Sequence, residues 1–263
     1  MRTCKLKARG FTLVELVTVI MLLGIVAAGV GSIIKFSSQI YVDVTSRDEL
    51  IASARFSVER LNREIRSAVP NSVQTLTVGS ATCLEYMPIA VSTVYTDIPV
   101  SPEPDANTIT VVKFDESLFN ASQHIVVYPL NSSEIYGNAG SKRYALASPQ
   151  TLNTAGNEWT LNLASANTFA DDSPTQRLFL VNQPVAYCVE GSELYRYSNY
   201  GYQSNILAGS QSLMAQGIDP TGTSFIVNPA TLVRNSLVTI ELQFFQNQET
   251  VHFFNEVQVR NVP

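Results

Sequence analysis

The stretch KARGFTLVEL, residues 7–16, places a single carboxylate, Glu15, five residues into what otherwise reads as a membrane span. From Phe11 to Ile34 the chain runs FTLVELVTVIMLLGIVAAGVGSII, and Glu15 is its only charge. A span needs about 20 predominantly apolar residues, so the length is ample. Arg2, Lys5, Lys7 and Arg9 precede it and no base follows before Lys35. That asymmetry puts the N-terminus in the cytoplasm and the remainder of the chain across the membrane.

A secretory signal peptide would carry its small-residue cleavage site after the apolar core. Here the small residue, Gly10, comes before it. A plain anchor leaves Glu15 unexplained. An acid at the centre of a span costs about 2.5–3.5 kcal/mol and less near a helix end, so its default reading is functional. A cut between Gly10 and Phe11 would resolve the difficulty. Phe11 would then carry a new α-amino group, with Glu15 one helical turn away. When spans pack side by side, the amine of one chain can pair with the carboxylate of another, and a paired buried charge is far less costly than an unpaired one. Glu15 then acts as a registration device, satisfied only in an assembly.

At these residues the chain resembles the class III signal of type IV prepilins and type II secretion pseudopilins: a short basic leader, Gly10, Phe11, then Thr12-Leu13-Val14-Glu15-Leu16. The resemblance implies that a prepilin peptidase cleaves after Gly10 and N-methylates Phe11, and that Glu15 is the assembly carboxylate. It implies other major and minor pilins and an inner-membrane assembly platform as partners. The chain would sit as a single-pass inner-membrane protein with a periplasmic head, then become extracellular in a pilus. It would be the peptidase's substrate, not an enzyme.

Beyond the span, Val44, Ile51, Ala54, Val58, Leu61, Ile65 and Ala68 follow at steps of seven, three or four, the apolar stripe of a helix. Arg47, Asp48, Glu49, Arg55, Glu59, Arg60, Arg63, Glu64 and Arg66 form the opposite, solvated face, with Glu59 and Arg63 at i,i+4 spacing. Pro70 ends the run at Val69. A continuous helix over 11–69 would be roughly 88 Å long at 1.5 Å per residue. Small residues at Gly24, Ala27, Ala28 and Gly31 permit close helix approach.

After Pro70 short runs of Val, Ile, Thr, Tyr and Phe alternate with Pro, Gly, Asn and Ser, the pattern of strands and turns. Strands are expected at Ser72–Val78, Cys83–Tyr86, Thr108–Phe114, His124–Tyr128 and Trp159–Leu163. VAYCVEGSELYRYS reads as a hairpin turning at Glu190–Ser192, and the C-terminal stretch from Ser236 as another turning near Asn247–Gln248. Ser92–Asp105, with Pro99, Pro102 and Pro104, reads as loop, and Leu130–Ala155 as an irregular inserted lobe. The expected fold is α+β: a long N-terminal helix, transmembrane then amphipathic, packed on an antiparallel sheet head. The parts are a leader at 1–10, a membrane and assembly helix at 11–34, its amphipathic continuation at 35–69 and a β-rich head at 70–263. The large head resembles those of minor pilins. Tyr187-Cys188, Leu194-Tyr195-Arg196-Tyr197 and the terminal Val257–Pro263 resemble more narrowly the W/J-like minor pilins and the MshO type of mannose-sensitive haemagglutinin pili.

Charge and chemistry narrow the function classes. Four of the 17 basic residues lie in the leader, leaving 13 against 22 acids, a formal charge of −9. Such a body is a poor electrostatic match for nucleic acid. Of three cysteines, Cys4 belongs to the leader. Cys83 and Cys188 remain in the compartment where disulfides persist, either bridged or as two buried thiols in separate strands. His124 and His252 have no metal-ligand spacing, and no nucleophile elbow or phosphate loop is present. Asp171-Asp172-Ser173 and the scatter Asp97, Glu103 and Asp105 offer oxygen ligands of the kind calcium takes, but acidic loops are ordinarily solvated, and no metal or cofactor is expected. Tyr195, Tyr197, Tyr200 and Tyr202 suit either an adhesive patch or sheet packing.

Overall fold

The computed structural model describes residues 10–119, 124–137, 142–147, 150, 152, 156–202, 205–231, 234–247 and 249–260. The leader bases, Cys4 and the terminal Asn261-Val262-Pro263 lie outside the described residues. The chain divides into two units, 1–49 and 50–263, and helix α1 (Leu13–Arg66) contributes to both.

In the first unit every large apolar side chain from Phe11 to Val44 is exposed. No described residue of the chain covers them. The stretch is long and apolar enough to cross a membrane, and burial of its side chains needs lipid or neighbouring helices.

In the second unit α1 buries Leu50, Ala54, Ser57, Val58, Leu61 and Ile65. The stripe expected from the sequence is therefore present from Ala54 onward, but Leu50 takes the place given to Ile51, and Val44 is exposed. Ser57 is fully buried because its Oγ donates to the Met214 carbonyl at 2.6 Å, which a serine facing a strand backbone can do and an aliphatic residue cannot. The helix stops at Arg66 and not at Val69. Ser67 and Ala68 bond back only three residues, to the Glu64 and Ile65 carbonyls. Val69 N–H then donates to the Met87 carbonyl at 2.8 Å and Ile89 N–H to that of Ser67 at 3.0 Å. The backbone leaves the helix to pair across the chain, before Pro70 would stop it.

Strands β1 (Gln74–Val78) and β2 (Ala81–Tyr86) open the head. Then come β3 (Ile89–Asp97), β4 (Ala106–Val112), β5 (His124–Val127), the one-turn helix α2 (Ser133–Tyr136), β6 (Arg143–Ala145), β7 (Glu158–Asn167) and β8 (Arg177–Val181). β9 (Val185–Glu190), β10 (Glu193–Ser198), β11 (Ser210–Gln216), β12 (Ser224–Asn228), β13 (Ser236–Gln246) and β14 (Glu249–Val259) complete it. All ladders between these strands are antiparallel, and they form three sheets: β1-β2-β9-β10-β11, β12-β13-β14 and β6-β5-β8-β3-β4-β7.

The first two sheets share one core with α1, built from Leu61 and Ile65 of the helix, Leu84 and Tyr86 of β2, Tyr187 and Val189 of β9, and Val238, Ile240 and Leu242 of β13. The six-stranded sheet has its own core, including Val91, Ile109, Ile125, Trp159, Leu161, Leu178 and Leu180. Its edge strands meet, since Leu146 bridges to Leu163 and Ala147 N–H donates to the Asn162 carbonyl at 2.8 Å. This whole lobe is inserted between β2 and β9, which are themselves direct neighbours.

Ser92–Asp105 is thus only half loop: alternating Val91, Thr93 and Tyr95 face inward and carry β3 to Asp97, and the prolines begin after it. The insertion is far larger than Leu130–Ala155, which holds α2 and β6 and is one part of it. β8 and β9 are buried on both faces. β8 points Leu178 and Leu180 into the lobe core while Phe179 and Val181 pack with Val69 and Met87. That double burial explains their near-continuous apolar runs, which mask a period of two.

Candidate functional site

The start of α1 is the site singled out by the sequence. Gly10 and Phe11 are exposed and precede the first helical residue, Leu13. Thr12 caps the helix: its Oγ1 accepts from Glu15 N–H at 3.3 Å, and its carbonyl accepts from Leu16 N–H at 3.2 Å. Glu15 lies in the first turn, where the aligned peptide dipoles favour a negative charge. Thr12-x-x-Glu15 is also the spacing of a capping box, a local signal that the opening reading of Glu15 passed over. The arrangement leaves the Glu15 carboxylate exposed on an apolar helix with no basic residue between it and Lys35. Among the described residues its carboxylate has no hydrogen-bond or ion-pair partner.

Cys83 and Cys188 form a disulfide. They are paired residues of β2 and β9, both fully buried, with Cα atoms 4.0 Å apart. Antiparallel neighbours place two side chains on the same face of the sheet, so the bridge needs only cysteine at both positions. It lies beside Ala81, Ala186, Tyr197, Tyr200 and Ile206.

The titratable groups of the head tie elements together. Glu64 was read as part of a solvated face; instead it sits half-buried and accepts from Tyr86 Oη, from Arg196 Nε at 3.0 Å and from Arg60 Nε at 3.0 Å. Burial pushes its carboxyl up, but these donors outweigh it and the net shift is downward. The i,i+4 pair there is Arg60–Glu64. Glu85, buried, accepts from Gln74 and Tyr200 among the described residues, and burial raises its carboxyl. Sequence periodicity could not find either one, because their partners are up to 132 residues away.

The acidic loop residues are engaged in the same way. Asp172 accepts from Tyr95, Asp171 pairs with buried Lys142 at 2.5 Å, and Asp105 accepts from Thr168. Among the described residues no group of three His, Cys, Asp or Glu converges as a metal site. Tyr197 and Tyr200 are buried, and Tyr202 stacks under Arg143 with its hydroxyl donating to the Asn182 carbonyl. The tyrosine run is therefore mostly packing. His124, on β5 beside Tyr202, is held neutral by burial and by Arg143, its pKa lowered to about 4.

Residues 5–31 match the prokaryotic N-terminal methylation motif. The match spans Gly10, Phe11 and Glu15 and supports a type IV pilin or pseudopilin-like subunit. A signal of this kind implies processing by a prepilin peptidase and assembly with other pilins. The long apolar helix followed by an antiparallel head fits that architecture, and the helix fits a single-pass membrane anchor. No curated protein and no solved structure matches the chain.

Proposed function

We propose that the chain is a minor-pilin-like structural subunit of a type IV pilus, of the MshO type, acting in pilus initiation or at the tip. It is cleaved between Gly10 and Phe11, methylated on Phe11 and drawn into the filament as Glu15 meets the new amine of a neighbour. Its role is structural and not catalytic. One observation carries this reading: a lone exposed carboxylate, one turn into an uncovered apolar helix, directly follows a methylation-type cleavage signal. The orientation has the N-terminus cytoplasmic and the head periplasmic, then extracellular. The large head, swollen by the inserted lobe, suits few copies at a position free of the lateral crowding of a shaft.

The test is deletion of the gene with counting of sheared surface pili. Complementation uses the native chain, Gly10→Ala and Glu15→Ala, alongside mass spectrometry of the mature N-terminus. Rescue by the native chain alone, with N-methyl-Phe11 at its start, is the expected result. Normal pili with failed protein export would move the chain to a J-like role in a type II secretion pseudopilus. Normal pili and export with adhesion alone lost would make the head a binding module.

A further inference from the structure

We propose that residues 199–202 form an acid-released clasp: near neutrality Tyr202 lies on His124 and Arg143 of the inserted lobe, and it leaves them by a turn at Gly201 when His124 takes a proton. The proposal goes beyond the subunit reading and does not depend on it.

The segment follows β10 and joins two parts of the head. Tyr200 is buried and holds it to the first sheet, its hydroxyl donating to Glu85 of β2 at 2.9 Å. Tyr202 reaches the lobe instead. Its ring centroid is 4.2 Å from that of His124 on β5, and the Arg143 guanidinium of β6 lies 3.9 Å from it. The Tyr202 hydroxyl donates to the Asn182 carbonyl at 3.0 Å, and Gly201 N–H to Gln183 Oε1 at 3.3 Å. Gly201, between the two tyrosines, has φ 79°, a left-handed backbone that glycine enters without steric cost, so the chain can turn there. Tyr202 also packs on the apolar cluster that holds Val69, Met87, Phe179 and Val181, where the lobe meets its neck.

His124 and Arg143 share one face of the lobe sheet. The ladder sets His124 opposite Ala145 and Val126 opposite Arg143, which makes the imidazole and the guanidinium diagonal neighbours. Arg143 is tied in place, its Nε donating to the Ile135 carbonyl at 2.6 Å. His124 Nδ1 is buried and has no hydrogen-bond partner among the described residues. An imidazolium carries a donor on both nitrogens, so a charged His124 would place an N–H without an acceptor and a second cation against one tyrosine ring. Its direct ladder partners, Ala145 and Val181, bring no charge to offset this. Burial and Arg143 both lower its pKa, to about 4, and no carboxylate opposes them.

Once Tyr202 leaves, water reaches the imidazole and its ordinary 6.5 returns. The open form therefore binds the proton first and gains on the closed form as pH falls from 6.5 toward 4. Glu85, at the other end of the segment, is pushed up by burial. Its neutral form still offers an oxygen to Tyr200, so the anchor holds while the lobe contact opens.

The full chain in detergent, with 3-fluorotyrosine at position 202, is titrated from pH 7 to pH 4 by fluorine NMR. Emission from Trp159 in the lobe core reports global folding in the same samples. The open-to-closed ratio should rise about 20-fold between pH 7 and pH 5 at constant Trp159 emission, the factor that follows from about 4 in the closed form and 6.5 in the open one. His124→Phe keeps a ring against Tyr202 and takes no proton, so the response should vanish; Glu85→Gln should keep it. A fluorine signal that does not move, the same titration in His124→Phe, its loss in Glu85→Gln, or movement only together with Trp159 overturns the proposal. None of these readouts involves cleavage or piliation, so the clasp and the subunit reading stand or fall separately.

Discussion

Cys83 and Cys188 face each other across β2 and β9, 105 residues apart in the chain, at the base of the inserted six-stranded lobe. The strands that leave for the lobe and return from it are bonded to each other, both by a ladder and by a covalent bridge. The lobe is carried by a closed neck. Its weight is borne where Val69 and Met87 pack against Phe179 and Val181.

Replacing Cys83 or Cys188 with Ser should lower the unfolding free energy. A loop of this length is worth up to about 4.7 kcal/mol in the chain-entropy model, and native bridges often yield less. Either single variant and the double variant should give the same loss, since each removes one bond. Guanidinium unfolding monitored by tryptophan fluorescence checks it, because Trp159 reports from the lobe core.

Glu64→Ala leaves Tyr86, Arg196 and Arg60 without their shared acceptor. The cost should be about 1–3 kcal/mol, toward the low end because the group is half-exposed. Its folded carboxyl lies below the ordinary 4.5. The stability it contributes is thus fully present above that value and lost as pH falls through the lowered one. Glu85, raised by burial, has the opposite sign and loses stability as pH rises past 4.5. The comparison is therefore the difference between native chain and Glu64→Gln across that window, which should shrink as pH falls.

His124 is neutral in the fold down to about pH 4, against an ordinary value of 6.5. The unfolded chain binds its proton first, so stability should decline as pH drops from 6.5 toward 4. His124→Gln should flatten that part of the profile in a thermal or chemical unfolding series. An unchanged slope would mean that the imidazole is solvated and that its burial beside Tyr202 is not maintained.

Leu61→Ala should destabilise the head by about 2–5 kcal/mol, because the side chain is fully buried between helix and sheet. Val44→Ala, at a position of the same sequence stripe, should leave head stability within about 0.5 kcal/mol, because its side chain is exposed. Paired denaturant midpoints of the two variants separate the buried half of the stripe from the uncovered half.

Local patterns carried much of this molecule. The hairpins β9–β10 and β13–β14 were legible because Gly191-Ser192 and Asn247 punctuate runs rich in Val, Ile, Tyr and Phe, and Asn247 does adopt a left-handed backbone (φ 51°). The helix and its approximate stop were legible from the stripe and Pro70. β3 was half-missed because the prolines beyond Asp97 coloured the whole stretch as loop. Glu64 was misplaced because its neighbours in sequence are charged, while the residues that claim it, Tyr86 and Arg196, belong to β2 and β10.

The sequence by itself determined that an apolar helix begins just after Gly10, that Glu15 is its lone charge, and that a strand-rich acidic body follows. Those are properties of adjacent residues, set by hydropathy, spacing and charge along one segment. Only the tertiary structure decided that Cys83 and Cys188 are opposite one another, that residues 89–181 close into a lobe between two neighbouring strands, and that Tyr86 and Arg196 meet at Glu64. Each of these depends on which strand pairs with which, and pairing is chosen by burial of two faces at once over separations that no local pattern encodes.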